Sequence, residues 1–580
     1  MASTLDQQAL AAASAQHPKL QHITYTYGTA GFRTEADLLD SVMFRVGLLA
    51  VLRSKNLKGK AIGVMVTASH NPEKDNGVKL VDPMGEMLHG SWEPYATQLA
   101  NAQTDDLLLA ALDSIVKATG TDLSQPAHVV YGHDTRPSCK PLVRALVDGL
   151  SSATFGSEAP KVELVNAGLV TTPQLHYLVR CLNTADSPDP YGEPTIDGYY
   201  RKLAAAYTEL SASRASGHKP SPFGLRGREL LPAITVDCAN GVGAPKLKEF
   251  VKVIGTDYLP VIVVRDNTTT AGQLNLNCGA DFVKTQQRAP LGVKPIAWQR
   301  YASFDGDADR IVYYYADADG VFHLLDGDKI ATLAAGFIMD LVKDAGLDDK
   351  VKVGVVQTAY ANGASTKYLT EVLGVPVTCV PTGVKHLHHA AESYDIGVYF
   401  EANGHGTVLF SPSTLAGIRS SLDSATSSPA ADESQLAART NLRALTELIN
   451  QTVGDALSDM LLVETVLLHR QWTPAQWDRA YTDYPNRLVK VLVNDRHAFE
   501  TTDAERKLVK PEGLQAKIDA LCKEVDGGRS FVRPSGTEDC VRVYAEATTR
   551  QAADDLVNKA AYLVFDEAGG KGTRPASGFF

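Results

Sequence analysis

The sequence predicts a multidomain α/β protein that ends in a smaller α+β domain. The chain has 580 residues, which is enough for roughly three to five domains of ordinary size. Apolar segments typical of buried strands are followed repeatedly by a polar loop and then by a helix, which is the pattern of α/β layers. With 44% hydrophobic and 21% charged residues, the chain can bury several large cores.

The first α/β domain is predicted over residues 1–184. Apolar residues recur at helical spacing from Leu38 to Leu52, and the run Ala61–Val66 that follows reads as a buried strand. The same order recurs with a strand at His128–Tyr131 and a helix at Pro141–Leu150. We therefore expect one α/β layer here, ending in a loop after residue 182.

Two further α/β domains are predicted over residues 185–318 and 319–440. The expected strands are Ile234–Cys238, Val351–Gln357, Val377–Val380 and Asp395–Phe400, and the helices between them include Ala364–Leu373. Ile311–Tyr315 and Val321–Leu325 flank an Asp-Gly step that favours a tight hairpin turn. The Ser/Ala-rich stretch Ser411–Ser434 breaks the periodic pattern, and we expect a domain border there.

The last domain is predicted over residues 458–580 and is of the α+β type. Its expected elements are a strand at Leu488–Val493, a helix at Leu514–Val525, strands at Arg529–Arg533 and Val541–Glu546, and a terminal helix. This change of pattern indicates a smaller α+β domain.

Charge and composition exclude several classes of protein. Lys and Arg number 56 against 67 Asp and Glu, a net charge of −11, so we expect neither nucleic acid nor an anionic membrane as a partner. The apolar run Ile330–Met339 is shorter than the ~20 residues that cross a bilayer. The first residues lack the basic region of a secretory signal, and the seven cysteines include no CxxC pair. These features predict a cytoplasmic protein with reduced thiols, and they give no indication of its oligomeric state.

Three aspartates at alternate positions form a candidate metal site. Asp305, Asp307 and Asp309 are separated by small residues that let a loop fold around an ion. Hard oxygen ligands of this kind suit Mg²⁺. A calcium-binding EF-hand would need Gly and Glu where the chain has Arg310 and Ala316. The loop therefore predicts a magnesium site.

A serine stands in a polar loop at the end of the first predicted strand. Ser69 lies beside His70, with Lys79 a few residues further along. A hydroxyl so placed could carry a phosphate and return it, but an ordinary polar loop would have the same composition. The residues of this loop alone favour neither interpretation. The chain has no G-x-S-x-G motif, which weighs against a hydrolase.

Two segments nearer the C-terminus have the chemistry of phosphate and sugar binding. The segment 533–538 and Arg542 combine hydroxyls, a glycine and two guanidinium groups, which suits a phosphate dianion, although a β-turn with surface arginines has the same residues. The segment 401–406 offers a carboxylate and an amide for sugar hydroxyls, but Asn-Gly turns are common. A Walker motif is absent from the sequence, so nucleotide binding is not predicted.

Together, the four segments resemble the α-D-phosphohexomutase superfamily, whose motifs occur in the same order. The resemblance implies four domains around a central cleft, the first three sharing an α/β core. Asn403 stands where glucose- and mannose-type members usually have Ser, and the Gly-x-Asp-x-Arg segment 132–136 follows Ser69 instead of preceding it. Both departures are similar to the phosphoacetylglucosamine mutase branch.

The resemblance also implies a reaction and a role for each site residue. Phosphorylated Ser69 would convert N-acetylglucosamine 6-phosphate into the 1-phosphate through a hexose 1,6-bisphosphate, supplying UDP-N-acetylglucosamine synthesis. Mg²⁺ would be held by Asp305, Asp307, Asp309 and the Ser69 phosphate. The other implied roles are charge neutralisation by Arg33, Lys79 and Arg310, proton transfer by His70 or Lys385, sugar binding by Thr382, Gly383, Glu401, Asn403, Gly404 and His405, and phosphate binding by Arg533, Ser535, Gly536, Thr537 and Arg542.

Three other functions remain open at the level of the sequence. The same chemistry could act on glucose or mannose phosphates, Ser69 could serve a Mg²⁺-dependent phosphatase, or the chain could be a non-catalytic binding module. We also expect the metal loop to lie at a domain edge, so that Asp307→Ala would remove the metal with little effect on the fold.

Overall fold

The structure, a computed structural model, describes residues 7–29, 31–153, 162–212, 231–426, 432–535 and 539–574. The chain forms two compact units. Unit 1 comprises Met1–Asp326 and Arg443–Pro474, and unit 2 comprises Gly327–Leu442 and Ala475–Phe580. The predicted α/β character is confirmed, because α/β sheets in both units are followed by a smaller antiparallel sheet at the C-terminal end of the chain.

The strands and helices alternate along most of the chain. The strands are β1 Phe32–Glu35, β2 Ala61–Val66, β3 Asp75–Val81, β4 Ala127–His133, β5 Val162–Leu169, β6 Ile234–Asp237, β7 Val261–Val264, β8 Tyr301–Phe304, β9 Ile311–Ala316, β10 Phe322–Leu325, β11 Val353–Thr358, β12 Val377–Val380, β13 Ile396–Phe400, β14 Gly406–Phe410, β15 Asn486–Leu492, β16 Glu500–Thr502, β17 Lys507–Lys510, β18 Arg529–Pro534 and β19 Cys540–Glu546. The helices are α1 Gln7–Ser14, α2 Asp40–Asn56, α3 Glu93–Ala100, α4 Asp105–Thr119, α5 Cys139–Ser152, α6 Thr172–Thr184, α7 Ile196–Ala212, α8 Gly243–Ile254, α9 Ala280–Gln286, α10 Gly327–Asp344, α11 Gly363–Lys367, α12 Val384–Ala391, α13 Pro412–Thr426, α14 Glu433–Leu448, α15 Ala456–Arg470, α16 Pro474–Asp478, α17 Leu514–Lys523 and α18 Arg550–Glu567.

The first sheet of unit 1 has the order β1-β3-β2-β4-β5. Its middle strand β2 is buried along its whole length and pairs parallel to β4 and antiparallel to β3. A strand covered on both faces is apolar throughout, which is why the sequence predicted this strand correctly. The carboxyl end of β2 leads directly into the Ser69 loop.

Helices α2 and α5 pack closely on this sheet because glycines lie at their contact. A Cβ atom on Gly149 would lie 2.0 Å from the carbonyl oxygen of Phe44, and one on Gly47 would lie 2.6 Å from that of Leu146. Real Cβ atoms do not approach so near. The two backbones are therefore in direct contact, and a larger residue at either glycine would separate the helices.

The second sheet of unit 1 has the order β10-β9-β8-β6-β7. Strands β9 and β10 form the predicted hairpin, with Phe322 paired to Ala316. The border that the sequence placed between residues 318 and 319 lies in the turn of this hairpin. Since both strands belong to one sheet, the second domain extends at least to Leu325.

Helix α15 belongs to unit 1, although the sequence placed residue 458 at the start of the last domain. Its N-cap, Asp455, accepts hydrogen bonds from the Leu457 and Ser458 amides and, at 2.7 Å, from the Tyr199 hydroxyl. These buried contacts join α15 to α7. The C-terminal domain therefore begins after this helix.

Unit 2 contains a mixed sheet, β12-β11-β13-β14, and an antiparallel sheet, β15-β19-β18. The predicted helix at Ala364–Leu373 is confirmed as α11 followed by a π-helical turn at Tyr368–Val372. The helices α17 and α18 belong to the antiparallel domain, whose core includes Ile518, Val541 and Leu556. This is the predicted α+β domain.

The stretch Ser411–Ser434 is largely helical, so the break in periodicity expected there is wrong, although the predicted border at residue 440 lies close to Leu442, where the first segment of unit 2 ends. Helix α13 occupies Pro412–Thr426, and residues 427–431 lie outside the described residues. Thr414 and Ile418, one turn apart, are buried, while most neighbouring positions are not. A helix with so narrow an apolar face has a weak periodic signal.

Among the helices of the described residues, none is long and apolar enough to cross a membrane.

Candidate active site

Ser69 is held in an unusual backbone conformation at the end of β2. The residue is 1% exposed and has a φ of 51°. Its carbonyl oxygen accepts hydrogen bonds from Arg136 Nη2 at 2.9 Å and from Asn275 Nδ2 at 2.8 Å. Its hydroxyl donates to Asp305 Oδ2 at 2.5 Å. The serine loop and the aspartate loop, 236 residues apart in the chain, therefore meet at one point.

The three aspartates converge because their loop folds back on itself between β8 and β9. The backbone amides of Asp309 and Arg310 donate to Asp305 Oδ1 at 3.1 and 3.2 Å. Ala308 adopts a φ of 58° within the turn. One carboxylate oxygen from each of Asp305, Asp307 and Asp309 lies within 4.8 Å of the other two, and all three residues are buried.

Asp307 has one satisfied and one unsatisfied carboxylate oxygen. Its Oδ2 accepts from Thr172 Oγ1 at 2.6 Å and from Thr67 Oγ1 and Lys79 Nζ, each at 3.3 Å. Its Oδ1 is buried without a hydrogen-bond partner among the described residues. Asp307 is fully buried and contacts residues of the first sheet and of α6, so the loop lies where the first two domains meet, but its carboxylate is a buried hydrogen-bond acceptor there.

This donor set fits a divalent cation. Burial, and then the charges of Asp309 and Asp307, raise the pKa of Asp305 well above its usual range. A bound cation would remove that repulsion and would give the unpartnered Asp307 Oδ1 a ligand role. Carboxylate oxygens are the ligands that Mg²⁺ prefers, at about 2.0 to 2.1 Å. A phosphate on the Ser69 hydroxyl would lie beside the same oxygens.

Cationic side chains surround the serine and the aspartates. Lys79 Nζ lies 3.3 Å from Asp307 Oδ2 and 3.2 Å from Asp309 Oδ2. Arg310 Nε lies 3.7 Å from both Asp305 Oδ2 and Asp309 Oδ1. Arg33 Nη1 donates to Asn71 Oδ1 at 3.3 Å. The site therefore combines three carboxylates with three fixed positive charges.

His70 is neutral in this environment. Arg310, burial and Arg33 together lower the pKa of His70 to about 2. An imidazole with such a pKa can accept a proton only weakly and is not protonated at neutral pH. In the unphosphorylated protein, His70 therefore adds no positive charge to the site.

In unit 2, the segment 401–405 forms a tight turn between β13 and β14. The Glu401 amide donates to the His405 carbonyl at 2.8 Å, and the Gly404 amide donates to the Glu401 carbonyl at 2.8 Å. Gly404 has a φ of 86°, a conformation that glycine adopts without strain. Glu401 and Asn403 are half-buried, with 3.4 Å between Glu401 Oε2 and Asn403 Nδ2. A carboxylate and an amide are thus presented side by side.

The two arginines predicted to bind phosphate lie opposite each other on neighbouring strands. Arg533 of β18 is paired with Arg542 of β19, and the Ser535 amide donates to the Cys540 carbonyl at 2.9 Å. Gly536 and Thr537, which the sequence also assigned to this loop, lie outside the described residues. The described part of the loop therefore places two guanidinium groups on one antiparallel strand pair.

The segment 382–386, which contains Lys385 and forms the lysine loop, lies near Arg533. Gly383, with a φ of 129°, precedes α12, and Lys385 is in the first turn of that helix. The carboxylate of Glu505 accepts from the Thr382 amide at 2.8 Å and from Arg533 Nε at 2.7 Å. Glu505 thus links segments that the sequence identified separately.

Several residues around Ser69 had no assigned role in the sequence analysis. Arg136 lies in the Gly-x-Asp-x-Arg segment, and it donates to the carbonyls of Ser69, Asn71 and Pro72. The Gly-x-Asp-x-Arg motif could have indicated that Arg136 belongs to the site. Thr172 and Asn275 belong to no recognisable pattern, and only the fold brings them to the site.

Magnesium should stabilise the folded protein through the three aspartates. Saturating Mg²⁺ at about 100 times its Kd contributes ~2.7 kcal/mol to the folded state, so the Tm in differential scanning fluorimetry should rise by a few degrees. Asp309→Asn should abolish the rise. Asp319→Asn, the same change at an exposed position of the neighbouring hairpin, should leave it intact. An equal rise in wild type and Asp309→Asn would contradict the site.

Four protein-family models match successive parts of the chain. They are "Phosphoglucomutase/phosphomannomutase, alpha/beta/alpha domain I" at residues 49–102, "Phosphoacetylglucosamine mutase AMG1, domain II" at 194–312, "Phosphoacetylglucosamine mutase AMG1, domain III" at 326–472 and "Phosphoglucomutase/phosphomannomutase, C-terminal domain" at 488–562. The matches follow the order of the four predicted domains.

Curated relatives and solved structures match almost the whole chain. The phosphoacetylglucosamine mutase of Sus scrofa is 53% identical over 577 residues, covering 99% of this chain and 100% of the relative. That of Homo sapiens is 51% identical over 575 residues, with coverage of 99% and 100%. The crystal structure of Aspergillus fumigatus N-acetylphosphoglucosamine mutase in complex with GlcNAc-6P and magnesium is 52% identical, with a TM-score of 0.88 and coverage of 97% and 99%.

Proposed function

This chain belongs to the phosphoacetylglucosamine mutase family, and we propose that it interconverts N-acetylglucosamine 6-phosphate and N-acetylglucosamine 1-phosphate through a phosphoserine at Ser69. The observation that carries the proposal is the 2.5 Å contact between the Ser69 hydroxyl and Asp305 Oδ2. It joins a group able to hold phosphate to a carboxylate cluster that suits Mg²⁺. The family relationship identifies the substrate.

Ser69 alternates between donor and acceptor in this scheme. Its phosphate passes to the free hydroxyl of the 6-phosphate, which gives the 1,6-bisphosphate, and Ser69 then takes back the other phosphate. Between the two transfers the bisphosphate reverses its orientation. The buried position of Ser69 limits access of water, whose attack on the phosphoserine would waste the phosphate.

Asp305, Asp307 and Asp309 would hold Mg²⁺ together with the Ser69 phosphate. When bound, the ion supplies charge neutralisation to the transferring phosphoryl group. Lys79 on β3, Arg33 on β1 and Arg310 on the aspartate loop add fixed positive charge around the same site. The transferring phosphoryl group carries negative charge on several oxygens. Several cations around it can therefore stabilise that charge during the transfer.

The residues of unit 2 are proposed to hold the rest of the substrate. Glu401 and Asn403 suit the equatorial O3 and O4 hydroxyls, which look similar in both orientations of the sugar, and Gly404 and His405 shape that turn. Thr382 and Gly383 contribute the neighbouring loop, from which Lys385 is a candidate for proton transfer. The proposed anchor for the phosphate that is not being transferred consists of Arg533, Ser535, Gly536, Thr537 and Arg542.

We further propose that the chain acts in the cytoplasm, in the supply of UDP-N-acetylglucosamine. All seven cysteines lie within the described residues as thiols, which is consistent with a reducing compartment. The product, a sugar 1-phosphate, is the chemical form that a nucleotidyltransferase consumes.

A coupled assay tests the function directly. Purified protein with Mg²⁺ and a catalytic amount of hexose 1,6-bisphosphate should convert N-acetylglucosamine 6-phosphate faster than glucose 6-phosphate, with little inorganic phosphate released. Faster turnover of the plain hexose would identify a glucose-type mutase. Stoichiometric release of phosphate would identify a phosphatase, and either result would overturn the proposal.

Arg533→Ala should mainly weaken substrate binding. A charge-assisted contact to phosphate contributes about 1.5 to 3 kcal/mol, so KM for N-acetylglucosamine 6-phosphate should rise roughly 10- to 150-fold with a smaller change in kcat. Arg550→Ala removes an exposed arginine from the same domain and should leave both constants unchanged. An unaltered KM in Arg533→Ala would show that Arg533 does not bind the substrate phosphate.

A further inference from the structure

A four-residue turn carries a carboxylate to the proposed phosphate anchor. Between β16 and β17, the consecutive residues Asp503, Ala504 and Glu505 have φ angles of 52°, 53° and 67°. This left-handed turn is uncommon for residues other than glycine. It projects Glu505 so that Oε1 lies 2.7 Å from Arg533 Nε and Oε2 lies 2.8 Å from the Thr382 amide. The uncommon left-handed backbone of residues 503–505 thus places the Glu505 carboxylate in contact with Arg533 and Thr382.

The contact between Glu505 and Arg533 is sheltered from solvent. Each side chain is 18% exposed, so the ion pair is less screened than pairs at the protein surface. Burial alone would raise the pKa of Glu505, but hydrogen bonds from Thr382 and Arg533 outweigh it and lower the pKa. The carboxylate is therefore ionised when it holds the guanidinium.

The geometry leaves the arginine able to bind a second anion. Glu505 accepts from the Nε–H of Arg533, and the remaining N–H donors of a guanidinium belong to its terminal nitrogens. An arginine with one edge fixed by a carboxylate loses less side-chain entropy when another edge meets a phosphate. The other oxygen of Glu505 binds the backbone of the lysine loop, so arginine and loop are held by one carboxylate.

We propose that Glu505 is a positioning residue of the phosphate anchor, which orients Arg533 and ties it to the loop of Thr382. The inference rests on the proposed function, because the anion that Arg533 receives is the phosphate of the substrate. Neither the motifs nor the resemblance assigns Glu505 a role. It does not touch the reacting atoms in this scheme, so its effect should be on binding.

Three variants test the role of Glu505 by steady-state kinetics with N-acetylglucosamine 6-phosphate. Glu505→Ala should raise KM about ten-fold, as expected for the loss of a charge-assisted contact, with kcat within about two-fold of wild type. Glu505→Gln retains an acceptor oxygen and should raise KM by a smaller factor. The matched control is Asp503→Asn in the same turn, whose ion pair with Arg506 is solvent-exposed, and it should behave as wild type.

A double-mutant cycle separates positioning from general damage to the fold. If Glu505 acts through Arg533, Glu505→Ala should raise KM less than about two-fold in an Arg533→Ala background. An equal ten-fold rise in both backgrounds, or a KM that falls because Glu505 competes with phosphate, would overturn the inference. An unchanged KM in Glu505→Ala would also overturn the inference.

Failure of the wild-type protein to isomerise its substrate would instead overturn the proposed function. Comparison of the Tm values of all variants controls for unfolding, and Glu505→Gln supplies the readout if Glu505→Ala is unstable.

Discussion

Ser69→Ala should abolish the isomerisation while leaving the fold intact. Alanine cannot carry a phosphate, and no other hydroxyl donates to Asp305 among the described contacts, so turnover should fall at least about a thousand-fold. The variant loses one hydrogen bond, worth about 1 kcal/mol. The measurements are turnover in the coupled assay and intact mass, in which one phosphate should be present on the wild type and absent from the variant.

The control for this prediction is Ser138→Ala in the same domain. Ser138 accepts a hydrogen bond from Asn76 Nδ2 at 2.9 Å, and within the described part of the chain its side chain makes no hydrogen bond to Asp305, Asp307 or Asp309. This variant should retain both turnover and the phosphate. Residual activity above about one hundredth of wild type in Ser69→Ala would mean that another group carries the phosphate.

Asp307→Asn should remove Mg²⁺ binding and reduce turnover at least about a hundred-fold, since a catalytic cation contributes several kcal/mol. The amide oxygen can keep the hydrogen bonds that Oδ2 now accepts from Thr172 and Lys79. The amide nitrogen then takes the place of the unpartnered Oδ1, where it offers hydrogens instead of a lone pair. The substitution therefore removes a ligand without creating a cavity.

Isothermal titration with Mg²⁺ and the coupled assay measure these two effects. Asp319→Asn is again the matched control and should resemble the wild type. Asp307→Ala should bind no metal either, but it should also lower the Tm, because Thr172 and Lys79 lose a buried acceptor. Full activity in Asp307→Asn would refute the assignment of the metal site.

The parts of the fold that were predictable have strong local signals. The bounds of β2 were predicted exactly as they occur, because a strand buried on both faces is an uninterrupted apolar run. Helix α13 was missed because its Ser- and Ala-rich sequence buries few side chains, Thr414 and Ile418 among them. Local composition there resembles that of a loop, and packing on the rest of the protein decides the outcome.

The site was predictable where its residues are close in the sequence. Asp305, Asp307 and Asp309 form a compact pattern whose chemistry is evident from their types and spacing. Their convergence with Ser69 was suggested by the resemblance and depends on long-range folding. Residues such as Thr172, Asn275 and Glu505 act through single contacts made by the tertiary structure, so the sequence carries no local sign of them.

The left-handed backbone at Ser69 also restricts which amino acid can occupy the position. Threonine offers the same hydroxyl, but its β-branched side chain is strongly disfavoured at a φ of 51°. Cysteine would tolerate the backbone yet lacks the oxygen of a phosphate ester. Both the backbone conformation and the chemistry of the phosphate ester therefore favour serine at position 69. We expect the one additional methyl group of Ser69→Thr to be enough to prevent the residue from carrying the phosphate.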